Sequence, residues 1–323
     1  MKVLVTGGLG FIGSHFIDHL LLNYPGIKIV NLDKRTYAAN LDLLDNENVF
    51  NIKGDIAEKK DVEYAALNVV GKVDYIVNFA AETHVDNSIE NSDKFIKTNI
   101  MGVHNILELV RMYRIKKFMQ ISTDEVYGSI REGEFTEESN YSPNSPYSAS
   151  KAAAEMLCGS YNKTYNLPIV ITRSSNNYGP RQHKEKLIPN ALDKFFAGKD
   201  IDVYGDGSNE REWIYVTDNC DILMKLLFSN KNEYSIFNVS SGYRITNLEL
   251  VEKIISIART FESNESTYRF VVDREGHDFR YAISNERIIK TLKLQDYPHH
   301  FFTCLEEGLR RTTEWYHQKE KKC

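Results

Sequence analysis

The glycine pattern at residues 6–14 constrains this chain more than any other feature. A β-branched run over residues 2–6 (KVLVT) passes straight into Gly7-Gly8-Leu9-Gly10-Phe11-Ile12-Gly13-Ser14, and a helical pattern follows over 14–24. The spacing fits G-x-G-x-x-G (Gly8, Gly10, Gly13) and also G-x-x-G-x-x-G (Gly7, Gly10, Gly13). Glycines at such a turn permit a tight bend, close approach of a pyrophosphate, and close contact between helix and strand. The helix that follows points its amide groups at the anion. The next strand ends in Asn31-Leu32-Asp33, and Asp33 stands 20 residues beyond Gly13. An acid there can bond the hydroxyls of an adenosine ribose and repels a 2′-phosphate. These residues read as a dinucleotide site that prefers NAD, with Lys34 and Arg35 beside the acid.

The first half continues in the same rhythm. Strand-like runs at 27–32, 49–52, 73–79, 117–121 and 168–173 alternate with helical patterns near 59–69, 92–113 and 148–165. Alternation of this kind predicts right-handed crossovers and a mostly parallel sheet, buried on both faces. Beyond residue 175 the pattern changes. Polar stretches at 175–190 and 205–211 separate helices expected near 187–197, 216–229, 246–261 and 304–318. A chain of 323 residues holds about two domains. The expected class is α/β: a Rossmann-type doubly wound parallel sheet over residues 1–175, with a smaller C-terminal α/β substrate domain over 176–323. That boundary is soft, because later segments can return to the first sheet. The tail 319–323 reads as a solvated end.

Composition removes several classes. Lys plus Arg number 40 against 45 Asp plus Glu, a net charge of −5, so there is no basic face for nucleic acid. No apolar run approaches the roughly 18 residues of a membrane span, and the N-terminus has no signal-peptide pattern. Cys158, Cys220, Cys304 and Cys323 lie far apart with no CxxC pair, as expected of reduced thiols in a cytoplasmic protein. No metal site is expected.

Two further groupings carry chemistry. Tyr147 and Lys151 stand four apart behind Pro146, so a helix starting there presents both on one face. A phenol is a poor base at neutral pH. A neighbouring ammonium and a nicotinamide cation both favour the phenolate, so Tyr147 can take a hydroxyl proton as that carbon is oxidised. The strand 117–121 runs into Ser122-Thr123-Asp124-Glu125 at its carboxyl end, where ligands sit in a parallel sheet. Adjacent carboxyls push their pKa values apart, so one can be neutral while the other is ionised. Dehydration of a 4-keto sugar uses such a pair: a base removes the C5 proton and an acid protonates the departing C6 hydroxyl.

The segments TGGLGFIGS (6–14), FAAETHVDNS (79–88) and YSASK (147–151) together resemble the extended short-chain dehydrogenase/reductase superfamily. STDEVYG (122–128) resembles the signature of its nucleoside-diphosphate-glucose 4,6-dehydratases. So do RSSNNYGP (173–180), EKLIP (185–189), GDG (205–207) with Arg211-Glu212-Trp213, and DREGHD (273–278) with Arg280 and Tyr281. The resemblance implies C4 oxidation, loss of water across C5 and C6, and reduction at C6, with dTDP- or UDP-glucose as substrate. In that scheme Tyr147 is the base at the C4 hydroxyl, Lys151 tunes it, and Thr123 bonds near C4. Asp124 is the acid at C6 and Glu125 the base at C5.

The resemblance also implies NAD held by Gly7, Gly10, Phe11, Ile12, Gly13, Asp33, Lys34, Asp55, Ile56, Phe79, Ala80, Ala81, Thr98, Tyr147, Lys151 and Asn177. The sugar nucleotide would meet Thr83, His84, Thr123, Asn176, Lys186, Leu187, Ile188, Pro189, Arg211, Asn247, Arg274 and His277. A homodimer formed through the helices near 92–113 and 148–165, and a place in deoxysugar synthesis such as that of rhamnose, are implied as well. Two alternatives stay open. A 4-epimerase or UDP-sugar decarboxylase would share the glycine turn and the Tyr–Lys pair without needing both carboxyls. A non-catalytic nucleotide-binding protein would need neither pair. One methyl separates thymine from uracil, about 1–3 kcal/mol of discrimination, and the loops do not choose between them.

Overall fold

A computed structural model describes residues 1–40, 45–230, 234–273, 278–297 and 301–321. Its centre is a seven-stranded sheet with strand order β10-β6-β5-β4-β1-β2-β3. The strands are β1 (Lys2–Thr6), β2 (Lys28–Asp33), β3 (Val49–Lys53), β4 (Tyr75–Asn78), β5 (Lys117–Thr123), β6 (Ile169–Ser174) and, from much later in the chain, β10 (Ser235–Val239). Every pairing in it is parallel.

Alternation along the strands explains why the sheet is covered on both sides. Successive side chains of a strand point to opposite faces. Val3 and Val5 join a core with Phe16, Ile17, Leu20, Leu223 and Leu227. Leu4 between them joins the opposite core with Val62, Ala66, Val103, Ile106 and Leu107. The helices Phe11–Asn23 and Val216–Leu227 therefore cover one face, and Lys59–Leu67, Gly102–Tyr113 and Pro146–Tyr165 the other. The order reverses between β1 and β4, which opens a crevice at the carboxyl ends of those strands.

The other residues beyond 175 build a second layer. β7 (Asn176–Tyr178), β9 (Glu210–Tyr215) and β11 (Arg244–Thr246) form a three-stranded sheet, and β8 (Ile201–Tyr204) pairs with β12 (Tyr268–Val271). Their core, with Leu192, Phe195, Trp213, Leu250, Ile254 and Leu309, is separate from the two cores of the large sheet.

The six strands of the first half fall within two residues of their expected ends. The expected helix over 92–113 is instead Asp93–Phe95, a wide π-type turn at Ile96–Met101, and Gly102–Tyr113. Such turns occur often at functional sites. Here Asn99 in the turn accepts from the Glu82 amide at 2.9 Å and donates to the Ser150 hydroxyl at 2.8 Å. The C-terminal helix runs through Leu305–Glu320, so part of the expected solvated tail is helical. Cys158 and Cys220 are buried free thiols and Cys304 is an exposed one; Cys323 lies outside the described residues.

Candidate active site

The glycine turn sits at the mouth of the crevice. Gly7 has φ +69°, and a Cβ there would lie 2.6 Å from the Ala80 nitrogen; on Gly13 it would lie 2.4 Å from the Gly7 carbonyl. Glycine is the residue that fits both positions. Gly10 caps the helix Phe11–Asn23 with no side-chain cap bond, and the first turn carries no acid. Such an end offers its amides to an external anion. Asp33 Oδ2 accepts from the Leu9 amide at 3.0 Å and Oδ1 from the Arg35 amide at 2.7 Å. Asp33 thus braces the turn and keeps lone pairs for a ribose hydroxyl. Lys34 pairs with Asp55 at 2.9 Å, which withdraws that cation from any 2′-phosphate. Burial pushes Asp55 up, but the Lys34 contact and the Ala57 amide outweigh it and hold the carboxyl below its usual value.

A single cleft of about 630 Å³ runs from this turn to the second layer. All sixteen residues expected to hold the cofactor line it: Gly7, Gly10, Phe11, Ile12, Gly13, Asp33, Lys34, Asp55, Ile56, Phe79, Ala80, Ala81, Thr98, Tyr147, Lys151 and Asn177. Thr83, His84, Thr123, Asn176, Lys186, Leu187, Ile188, Arg211 and Asn247 line it further along. Pro189 does not line the cleft. It is buried in the first turn of the helix Leu187–Phe196, where its ring packs inward and needs no amide partner. Arg274 and His277 lie outside the described residues.

The residues expected to react meet where β5 ends. Thr123 caps a short 3-10 turn, Asp124–Tyr127, accepting from the Glu125 amide at 3.3 Å. Its hydroxyl also donates to Asp124 Oδ1 at 3.2 Å. Burial pushes the Asp124 carboxyl well above its ordinary value, and the charges of Glu125 and Glu212 add to this against the Thr123 bond and Arg211. Glu125 beside it is half-buried and also lines the cleft. Tyr147 opens the helix Pro146–Tyr165, whose Ser145–Ser148 capping box and leading proline set its start.

One electrostatic expectation fails. The Tyr147 phenol is pushed up, by burial first and then by Glu125 and Asp124, with only a Thr123 hydrogen bond opposing. The Lys151 ammonium does not offset this. It donates to the Ile121 carbonyl at 2.6 Å, and burial pushes it down to about 8. The protein alone therefore keeps this phenol protonated, and a cation added to the cleft is needed to favour the phenolate.

Several lining residues escaped the sequence reading. Ser175, Gln182, Trp213 and Tyr281 all face the cleft. The Tyr281 hydroxyl donates to Asp278, and the Arg211 guanidinium lies 4.5 Å over its ring. Ser175, Trp213 and Tyr281 stood inside recognised segments; Gln182 carries no local signal. Asp124 Oδ2, Ser175 Oγ, Asn177 Oδ1, Gln182 Oε1, Trp213 Nε1 and Asn247 Oδ1 are buried without a hydrogen-bond partner, and every one of these residues lines the cleft. Buried polar atoms are otherwise nearly always bonded, so this concentration fits a polar ligand in the cleft.

Comparison with known proteins agrees with this geometry. The family model described as GDP-mannose 4,6 dehydratase matches residues 4–297. The low-salt glycan biosynthesis protein Agl12 of Haloferax volcanii is 44% identical, over 98% of each chain. A dTDP-glucose 4,6-dehydratase of Streptomyces niveus is 40% identical, over 98% of this chain and 93% of that one. The crystal structure of dTDP-glucose 4,6-dehydratase from Bacillus anthracis in complex with NAD superposes with a TM-score of 0.87 at 41% identity, covering 99% and 98% of the two chains. With its parallel sheet, glycine turn and paired carboxyls, the chain belongs to the GDP-mannose 4,6 dehydratase family, on the branch of the nucleoside-diphosphate-glucose 4,6-dehydratases.

Proposed function

We propose that this chain is an NAD-dependent hydro-lyase that converts a nucleoside-diphosphate-glucose, dTDP-glucose in the first place, to its 4-keto-6-deoxy derivative. The observation that carries this reading is Asp124: a buried carboxyl lining the cleft, with one oxygen unpartnered, an acidic neighbour at Glu125, and a pKa that burial pushes well above its ordinary value. An epimerase has no use for that pair. The dTDP sugar is favoured because named relatives act on it.

NAD, when bound, supplies the two-electron acceptor that C4 oxidation needs and the donor that C6 reduction needs. The glycine turn, the uncapped helix end and Asp33 suit its pyrophosphate and ribose. Tyr147 takes the proton of the C4 hydroxyl, with Thr123 bonded beside it. The ketone acidifies the C5 hydrogen, which Glu125 removes. Asp124 gives its proton to the C6 hydroxyl, which leaves as water. Lys151 holds the ribose side of the nicotinamide. Arg211, Asn176 and Asn247 hold the sugar nucleotide, and a planar guanidinium such as that of Arg211 suits a diphosphate.

A homodimer fits the outer face of two adjacent helices, where Met101, Met112 and Met156 are each more than half exposed and Ala149 is exposed beside them. Among the described residues no helix is long and apolar enough to cross a membrane. A cytoplasmic site and use of the product in deoxysugar synthesis, rhamnose included, belong to the same reading.

The test is direct. The protein, NAD and dTDP-glucose are incubated without added reductant, and the sugar nucleotide is weighed by mass spectrometry. Loss of one water, with deuterium taken up at C5 in heavy water, is expected. An unchanged mass with a galactose product would replace dehydration by epimerisation.

A further inference from the structure

A buried ion pair beneath the cleft stands outside the reaction scheme. Glu155 and Arg173 are each 1% exposed. Glu155 Oε2 accepts from Arg173 Nε at 2.9 Å and Nη2 at 2.7 Å, and from the Tyr141 hydroxyl at 3.1 Å. Its other oxygen accepts from the Ser122 hydroxyl. The guanidinium lies between the rings of Tyr127 and Tyr141, at 4.6 and 4.8 Å, and Nη1 donates to the Tyr127 hydroxyl at 2.6 Å. Tyr127 passes the chain of bonds on to Asn238 of β10 at 2.8 Å.

Each anchor adjoins a reactive residue. Tyr147, Lys151 and Glu155 are spaced four apart on the helix Pro146–Tyr165, so they share one face. Lys151 grips the carbonyl of Ile121, and Glu155 grips the side chain of Ser122, the next residue and the one before Thr123. Arg173 is the register partner of Ser122 on β6. It holds Tyr127, the last residue of the turn that begins with Asp124. Two helix residues and one strand residue therefore clamp the end of β5 before Thr123 and after Glu125. A buried ion pair is weak evidence for stability, since apolar replacements of like volume often do as well. What it supplies is a fixed, charge-assisted geometry.

We propose that Glu155 and Arg173 are positioning residues that set the Tyr147–Lys151 face against the Asp124–Glu125 turn. This rests on the dehydratase reading above. The ionisable groups acting on Lys151 are Glu155 and Cys158 from its own helix, while β5 meets it with the Ile121 carbonyl and β6 presents Arg173 to Glu155. Burial pushes Lys151 down to about 8, and Glu155 opposes that fall.

The test uses the NAD-loaded protein and dTDP-glucose. The wild type is measured first; no product from it overturns the dehydratase reading and the positioning role that rests on it, whereas an active wild type leaves only the clamp at stake. With an active wild type, E155Q is compared per folded molecule by circular dichroism. We expect kcat to fall about tenfold or more, as misplacement of reacting groups does, with KM within about threefold. The basic limb of the kcat–pH profile should move to lower pH by about half a unit or more, because a negative neighbour of Lys151 is gone. The paired replacement E155M with R173M, apolar and similar in volume, keeps the test valid if E155Q does not fold: the same fall in kcat at little-changed KM is expected, with the basic limb left near its place because both charges leave together. An unchanged rate per folded molecule overturns the proposal. For E155Q, a slower rate with the basic limb unmoved overturns it too, since a merely structural role would do that.

Discussion

Thr123 donates its hydroxyl to Asp124 Oδ1 at 3.2 Å, and Asp124 Oδ2 is left buried with no partner. One oxygen is thus held in place while the other faces the cleft. Burial first, then the charges of Glu125 and Glu212, push the pKa of this carboxyl well above its ordinary value. A carboxyl biased towards its neutral form beside an acidic neighbour is the arrangement that elimination of a hydroxyl requires.

Replacing Asp124 with Asn keeps the shape and removes the transferable proton. The expected loss in kcat is about 10²–10⁴-fold, the range of general acid catalysis. C4 oxidation should survive, so single-turnover spectra should still record reduction of the bound nicotinamide. A variant as fast as wild type would remove Asp124 from the acid role.

Glu125→Gln separates the two carboxyls. With the C5 base gone, exchange of the C5 hydrogen with heavy water should stop while C4 oxidation continues. Nuclear magnetic resonance of the recovered sugar nucleotide reads this. Normal exchange would assign the base elsewhere.

The Asp124 shift also predicts a pH dependence of stability. Its folded pKa lies above the unfolded value of 3.8, so its contribution is fully present below 3.8 and is lost as pH rises through the folded value. Asn at this position does not titrate. The melting temperature of Asp124→Asn minus that of wild type should therefore increase from pH 4 towards pH 8. A difference that shrinks over this range would contradict a protonated Asp124.

Gly13→Ala tests the turn. The added Cβ would meet backbone atoms at 2.4 and 2.9 Å, which cannot swing away as a side chain can. Overpacking of this kind costs about 1–3 kcal/mol. Denaturant unfolding should show that loss, and NAD affinity by calorimetry should fall more steeply than stability. Unaltered affinity would place the pyrophosphate away from the turn.

The first half of the fold was legible because its signals are local. Val3, Leu4 and Val5 are apolar in succession since both faces of a parallel sheet are covered, and the glycine spacing describes one turn. Tyr147 and Lys151, or Asp124 and Glu125, sit close in sequence, so their proximity needs only a helix or a turn. β8, β9, β11 and β12 were not legible: they are short, polar and paired over long separations, as Glu212 with Arg244. Their side chains gain partners only once the second layer is assembled.

Residues within a few positions of one another carry the nucleotide-binding half, the cofactor class and the candidate reactive residues, so each of these could be read before any fold was known. Tertiary structure alone decided the electrostatics and the far wall of the site. Burial, not the adjacent lysine, governs the Tyr147 phenol, and Lys151 turns to the Ile121 carbonyl. The charge of Glu212, from β9, acts on Asp124 from a distant segment, and Arg173 and Glu155 meet beneath the cleft. Desolvation and charge depend on which distant segments close over a group, and no local pattern of residues encodes that.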